Sequence, residues 1–233
     1  RGSMARPLIG ITTSFTDGDR PRQVLDSHYV DAVEAAGGCP VPVAMTSSVD
    51  ALAPLLERLD GLVITGGPAI CDGLIGELPD DISTTPSRRQ EADLMSFELL
   101  QKRDRPILGI CYGMQFINAR FGGTINADLQ VHFGAGPHSP SRHGGQNVFH
   151  EIRIEDGSHV ATALGGGSCR VNSFHIQSVV DVAPVLRCTA RSEDGIIEAL
   201  ETEDGRTVGV QFHPEKMGAD GAGLFRQLVE RAR

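Results

Sequence analysis

Hydrophobic and polar positions along the chain alternate in blocks that read as strands and helices taking turns. Short apolar runs at 8–11, 40–43, 62–65 and 107–110 have the length and composition of strands buried on both faces. Between them, residues 29–36, 49–59, 89–102 and 112–121 place apolar side chains at helical spacing, and Gly37-Gly38 stops the first of these. Such alternation requires a parallel sheet with helices on its faces. After residue 148 the pattern changes to strands at 148–154, 169–171, 185–190, 196–201 and 207–212, and a helix over 222–231 closes the chain. The prediction is an α/β fold of flavodoxin-like type. Its central, mostly parallel sheet is covered by helices on both faces, with an added antiparallel β portion in the C-terminal half. No repeat or linker interrupts the pattern, so residues 4–233 read as a single domain. Residues 130–147, rich in His, Gly, Pro and Ser, carry the least predicted structure.

Composition narrows the function classes. With 233 residues and 40% hydrophobic content the chain is long enough for a large core. Thirty acidic residues against 21 basic give a net charge of −9 with no basic stripe, which argues against a nucleic-acid partner. No apolar stretch reaches the roughly 18 residues of a membrane span, and no secretory signal is evident. Arg1-Gly2-Ser3 ahead of Met4 reads as a remnant of expression. Five cysteines, odd in number and scattered at 39, 71, 111, 169 and 188, do not form a disulfide framework. A reducing, cytoplasmic location is expected.

The chemistry concentrates at Gly109-Ile110-Cys111-Tyr112-Gly113. An apolar strand ends at a cysteine flanked by glycines, and a helix follows at once. This is the cysteine form of the nucleophile elbow, a sharp turn that holds a nucleophile proud of a sheet. At a helix N-terminus the thiolate is favoured over the thiol. A small apolar residue at a strand end is the plainer alternative. The run Val208-Gly209-Val210-Gln211-Phe212-His213-Pro214-Glu215 changes the balance. A thiol nucleophile needs a base, and the base needs a third group to hold its ring. His213 and Glu215, joined by the stiff Pro214, supply both.

Together these segments resemble the class I glutamine amidotransferase family, whose hallmark is a Cys-His-Glu triad. Residues 61–67 (Gly-Leu-Val-Ile-Thr-Gly-Gly) are similar to its oxyanion loop, and 122–128 to the stretch after its nucleophile helix. Asn172-Ser173-Phe174-His175-Ile176-Gln177 and Asp194-Gly195-Ile196-Ile197-Glu198-Ala199 resemble the γ-glutamyl hydrolase branch, typified by γ-glutamyl-γ-aminobutyrate hydrolases. The resemblance implies hydrolysis of a small γ-glutamyl compound through a γ-glutamyl thioester. Cys111 would be the nucleophile, His213 the acid and base, and Glu215 its orienting carboxylate. Backbone N–H groups of Gly67 and Tyr112 would form the oxyanion hole. Gln115 is expected either beside the glutamyl group or capping its own helix. Asn172, Ser173 and His175 are expected on the pocket wall, His175 contacting substrate or buttressing His213.

No metal or organic cofactor is expected. His132, His138, His143 and His150 lack paired metal-ligand spacing and read as a solvated loop, with His150 heading a strand. Gly66-Gly67 lacks the spacing of a phosphate-binding fingerprint. Three positions depart from the branch pattern: Ala69 where an aspartate is usual, Ile75 for tyrosine, and Gln90 after Arg89 for aspartate. In relatives these shape the leaving-group side of the pocket, so the amine released is expected to differ from γ-aminobutyrate. Two alternatives stand beside this reading, a glutaminase feeding ammonia to a synthetase partner and a silent binding protein on the same fold. A homodimer stays open.

Overall fold

In the computed structural model, which describes residues 5–233, the central strands are buried on both sides. Residues 1–3, expected from the sequence to be a remnant of expression, lie outside the described residues. Strands β1 (Leu8–Thr12), β2 (Cys39–Val43), β3 (Gly61–Ile64), β4 (Ile107–Ile110), β5 (Val148–Ile154), β6 (Ser168–Ser173), β7 (Arg187–Ser192), β8 (Ile197–Glu201) and β9 (Thr207–Val210) build one sheet. Its order is β6-β5-β7-β8-β9-β4-β3-β1-β2. From β9 to β2 all neighbours are parallel, and from β6 to β9 all are antiparallel. The expected parallel and antiparallel portions are thus one continuous sheet, joined at the strand that leads to His213.

Side-chain alternation sorts the core into two layers. Ile9, Ile11, Val63, Leu108, Ile110, Val208 and Val210 pack under α1 (Ser27–Ala35), α6 (His159–Leu164) and α7 (Ala222–Arg231). Leu62, Ile64, Ile107 and Leu200 face the other way, against α2 (Val49–Leu56), α3 (Ser87–Lys102) and α4 (Tyr112–Arg120). Each such fully buried aliphatic side chain contributes about 1.5–3 kcal/mol. This doubly covered arrangement is the predicted α/β fold. No helix among the described residues is long and apolar enough to cross a membrane, and all five cysteines are free.

The structure also holds elements too short for periodicity to reveal. Ser14–Thr16 and Arg22–Val24 form a hairpin. Leu74–Ile75, Ile125–Asn126 and Ser178–Val179 form a small separate sheet beside the pocket. The 130–147 segment is more ordered than expected. It includes α5 (Leu129–Phe133), capped by the Asp128 carboxylate and ended by Gly134 at φ 65°, then a 3-10 turn at Pro140–Arg142. His138 and Ser139 from this segment are buried.

Candidate active site

The first site element is the turn between β4 and α4. Cys111 adopts φ 53°, ψ −106°, a left-handed backbone that a non-glycine residue holds at a cost of about 1–3 kcal/mol. The surroundings impose it. The Cys111 N–H donates to Val210 O at 2.8 Å, which ties the elbow to the neighbouring strand. A Cβ on Gly109 would sit 2.6 Å from Gly113 O, and one on Gly113 would strike the Ile64 carbonyl, so both glycines allow the helix to start against the sheet.

The second element leaves the end of β9. Asn172 grips the His213 backbone twice, donating from Nδ2 to His213 O (2.9 Å) and accepting His213 N–H on Oδ1 (2.8 Å). The ring's Nδ1 lies 2.6 Å from Glu215 Oε1. The Phe174 ring meets the imidazole edge-on at 5.4 Å. Burial alone would lower the His213 pKa. The Cys111 sulfur and the Glu215 carboxylate, both close to the ring, outweigh burial and raise it to about 10. An imidazole so placed is held as imidazolium beside a sulfur and orients through a carboxylate.

The third element is the loop after β3. Its clamp is Arg89, which has no exposed surface. Arg89 donates to Thr65 O (2.8 Å), Gly66 O (2.9 Å) and Ser14 Oγ (2.7 Å), pairs with Asp93 one helical turn on (3.2 Å), and lies over the Tyr112 ring (4.6 Å). Burial raises the Asp93 pKa to about 6 against the pull of Arg89. Any Cβ on Gly67 would collide with this guanidinium. The Gly66 N–H donates to Tyr29 Oη at 2.9 Å. Gly67 N–H and Tyr112 N–H donate to no group among the described residues. A cavity of about 360 Å³ opens over Cys111, walled by Gly67, Pro68, Ala69, Gln115, Phe174 and Gln177, with Asp81, Ile82, Ser83, His175 and Ile176 completing it. At its rim the 3-10 turn closes onto the 81–83 stretch, Arg142 Nη2 donating to Asp81 Oδ1 at 2.9 Å.

Residues 7–215 match the family description Peptidase C26. The chain belongs to the Peptidase C26 family. Among relatives, the gamma-glutamyl-gamma-aminobutyrate hydrolase PuuD of Escherichia coli is 33% identical, over 97% of this chain and 92% of its own. Protein NtpR of Enterococcus hirae is also 33% identical, over 96% and 98% respectively. The glutaminase domain of Trypanosoma brucei CTPS, solved with bound acivicin, superposes with a TM-score of 0.67. It covers 97% of this chain and 93% of that one at 15% identity, a likeness of fold. These relationships support a hydrolase of glutamine amidotransferase type.

Within this C26 chain the predicted residues separate into those the structure gathers and those it does not. Cys111, His213, Glu215, Gly67 and Tyr112 converge at one end of the cavity. Gln115 is on the wall, but its amide nitrogen is engaged by Gln177 O (3.0 Å) and Gln211 Oε1 (3.1 Å), so only its oxygen is free to meet a ligand. Gln211 in turn approaches the Cys111 sulfur through Nε2 at 3.5 Å. Asn172 and Ser173 are not wall residues. Asn172 is spent on the His213 backbone, and Ser173 donates inward to His138 O at 2.7 Å. His175 lines the cavity, yet its Nδ1 faces Gln177 O (2.9 Å) and its Nε2 faces His138 Nδ1 (3.2 Å), and Phe174 rather than His175 packs on His213.

Two further expectations are corrected. Of the three departures from the branch pattern only Ala69 lies on the wall; Gln90 is on α3, its amide donating to Thr85 O at 3.1 Å, and Ile75 belongs to the small sheet. His132 and His143 are exposed as a solvated loop would have them. His138 and His150 are not, because they gather with His175 and Glu198. Periodicity misses Arg89, Tyr29 and Gln211, although Arg89 and Asp93 at helical i,i+4 spacing on a buried face are a signal a reader of the sequence has available.

Proposed function

We propose that the protein is a cysteine-dependent hydrolase that cleaves the γ-glutamyl amide bond of a small γ-glutamyl compound, releasing glutamate and an amine. The observation that carries this reading is a single one. Cys111 stands at a strained elbow on the cavity floor, beside an imidazole held by a buried carboxylate. The Cys111 thiolate attacks the δ-carbonyl carbon. The oxyanion that forms is met by the N–H groups of Gly67 and Tyr112, each such donor being worth about 2.7–4 kcal/mol. His213 protonates the departing amine, leaving a γ-glutamyl thioester. It then takes a proton from the water that hydrolyses the thioester, while Glu215 fixes its tautomer. Gln115 Oε1 accepts from the substrate α-ammonium group.

The wall supports a choice of amine. No Lys or Arg lines the cavity, and the charged residue among its lining groups is Asp81. Arg142 at the rim is spent on Asp81, so a carboxylate on the departing amine, as in γ-aminobutyrate, meets no unpaired cation on the wall. The preferred substrate therefore releases an amine without a carboxylate, its body lying along Pro68, Ala69, Ile82 and Ile176.

The test is intact mass spectrometry after treatment with 6-diazo-5-oxo-L-norleucine, followed by a panel of γ-glutamyl amides. One adduct on the native chain and none on Cys111→Ala is expected, with γ-glutamyl amides of neutral or cationic amines turned over faster than that of γ-aminobutyrate. Absence of any adduct and of any turnover would sink the hydrolase reading in favour of a binding protein. Turnover of glutamine alone, rising with a partner protein, would replace it with a glutaminase subunit.

A further inference from the structure

Behind the cavity wall, on the antiparallel half of the sheet, three imidazoles surround one buried carboxylate. One donor atom from each of His138, His150, His175 and Glu198 lies within 4.8 Å of all the others. Glu198 Oε1 is the hub, 3.5 Å from His138 Nδ1, 3.4 Å from His150 Nε2 and 3.5 Å from His175 Nε2. His138 Nδ1 and His175 Nε2 are 3.2 Å apart. Glu198 has no exposed surface, and neither of its oxygens, nor His150 Nε2, takes a hydrogen bond. Leaving such groups unpaired away from water is costly.

The outward ring nitrogens explain the arrangement. His138 Nε2 lies 3.0 Å from the Asp194 carboxylate, His175 Nδ1 2.9 Å from Gln177 O, and His150 Nδ1 3.4 Å from Glu151 O. Carboxylate and carbonyl oxygens only accept, so each outward nitrogen carries the proton. In the neutral tautomer each ring then turns a lone pair inward, toward the lone pairs of Glu198. Ser173 Oγ, 3.3 Å from His138 Nδ1, already gives its proton to the His138 carbonyl. In that protonation state four electron-rich atoms converge with nothing of opposite charge between them. Outward N–H groups bonded to carboxylate or carbonyl are the usual support of metal-ligating histidines. A tetrahedral ion with bonds of 2.0–2.1 Å sets its ligand atoms about 3.3 Å apart; the four distances above come within about 0.2 Å of that, and the edges from His150 to the other two rings, bounded at 4.8 Å, would shorten on binding.

We propose that His138, His150, His175 and Glu198 form a closed, structural binding site for a divalent transition-metal ion, zinc by donor type and geometry. All four positions of the tetrahedron are taken by protein, so the ion has no open place for water or substrate. Its work is mechanical. It joins the 134–147 segment, β5 and β8 to the Phe174–Gln177 wall of the cavity, and that wall carries the ring packed on His213. The site stands apart from the hydrolase reading and survives its failure.

The test uses the whole chain carrying Cys111→Ala, so that the active-site thiol does not join His213 in competing for the ion. Zinc is added, excess is removed by gel filtration, and retained metal is measured by mass spectrometry alongside a Co(II) titration. One ion per chain is expected, with the visible absorption of tetrahedral Co(II) and no thiolate charge-transfer band. Chelation should lower Tm by several degrees, since an ion that binds only the folded state stabilises it. Asp194→Asn, which leaves all four ligands in place, should weaken zinc binding about 10- to 100-fold, and Glu198→Gln should abolish it. No retained ion would overturn the proposal and leave a protonated imidazole–carboxylate network in its place. Unchanged affinity in both Asp194→Asn and Glu198→Gln would also overturn it, by placing the metal elsewhere.

Discussion

The two halves of the sheet do different work and keep different records in the sequence. On the parallel side, from β9 to β2, the chemistry follows the chain. A strand ends, the backbone turns, and the side chain at the turn is presented to the cavity; Cys111, Gly67 and His213 all stand just past strand ends. On the antiparallel side, from β6 to β8, the important groups come together from separate segments instead, His150 and Glu198 from strands and His138 and His175 from the chain beside them. His138, His150, His175 and Glu198 are separated by 12 to 25 residues in sequence and share no spacing rule. The first kind of site is built by local backbone geometry, the second by the tertiary packing of distant segments.

The largest effect should fall on the parallel side. Cys111→Ala is expected to lower kcat/KM by at least about 10⁴-fold, measured on the best γ-glutamyl amide. The double variant Cys111→Ala/His213→Ala should cost little more, because groups that act as a unit are not additive. Full additivity would break the idea that they form one device. Next in size is the clamp behind the glycine loop. Arg89→Met leaves Asp93 buried without its partner, and about 3–5 kcal/mol of stability should be lost in denaturant unfolding. A loss below about 1 kcal/mol would mean that the loop holds itself.

That comparison also explains what was legible. The strand–helix alternation, the elbow, and the His213–Glu215 pair are set by residues within one or two turns of each other, and pattern reading places them to within a few residues. The wall residues were legible only by resemblance, and there the reading slipped. In Asn172-Ser173-Phe174-His175, strand alternation through Ser173 turns Asn172 and Ser173 into the body, and the bend after β6 presents Phe174 to the site. Nothing in the residue types announces where that bend falls. The same holds for the 130–147 segment, whose Gly, Ser and Pro content reads as a loop while one histidine from it is drawn into the interior by Asp194 and Glu198.

A pH series sharpens the comparison further. The folded-state pKa of His213, raised to about 10 from an ordinary value near 6.5, makes its charged form a stabilising element. That contribution is complete below about pH 6.5 and is lost as pH climbs toward 10. Tm of the native chain should therefore fall between pH 7 and 10. In Glu215→Gln and in Cys111→Ala the His213 midpoint, followed by NMR, should move down, more for loss of the sulfur. An unmoved midpoint in both would detach the imidazole from its two partners.

The smallest predicted effect concerns the residue where the chain departs from its branch. Ala69 sits on the cavity wall with its backbone fixed on both sides, N–H to Ser83 O at 3.0 Å and C=O from Thr85 N–H at 2.8 Å. A substituted side chain is therefore aimed into the cavity without moving the loop. Ala69→Asp adds a carboxylate to a wall that holds no cation, and a partly exposed charge of this kind is worth up to about 1 kcal/mol, or roughly fivefold. Amides of cationic amines should gain by that factor relative to neutral ones, and the γ-aminobutyrate amide should lose. If the γ-aminobutyrate amide gains instead, the aspartate acts by ordering the loop rather than through its charge. The absence of a wall cation would then no longer set the choice of amine.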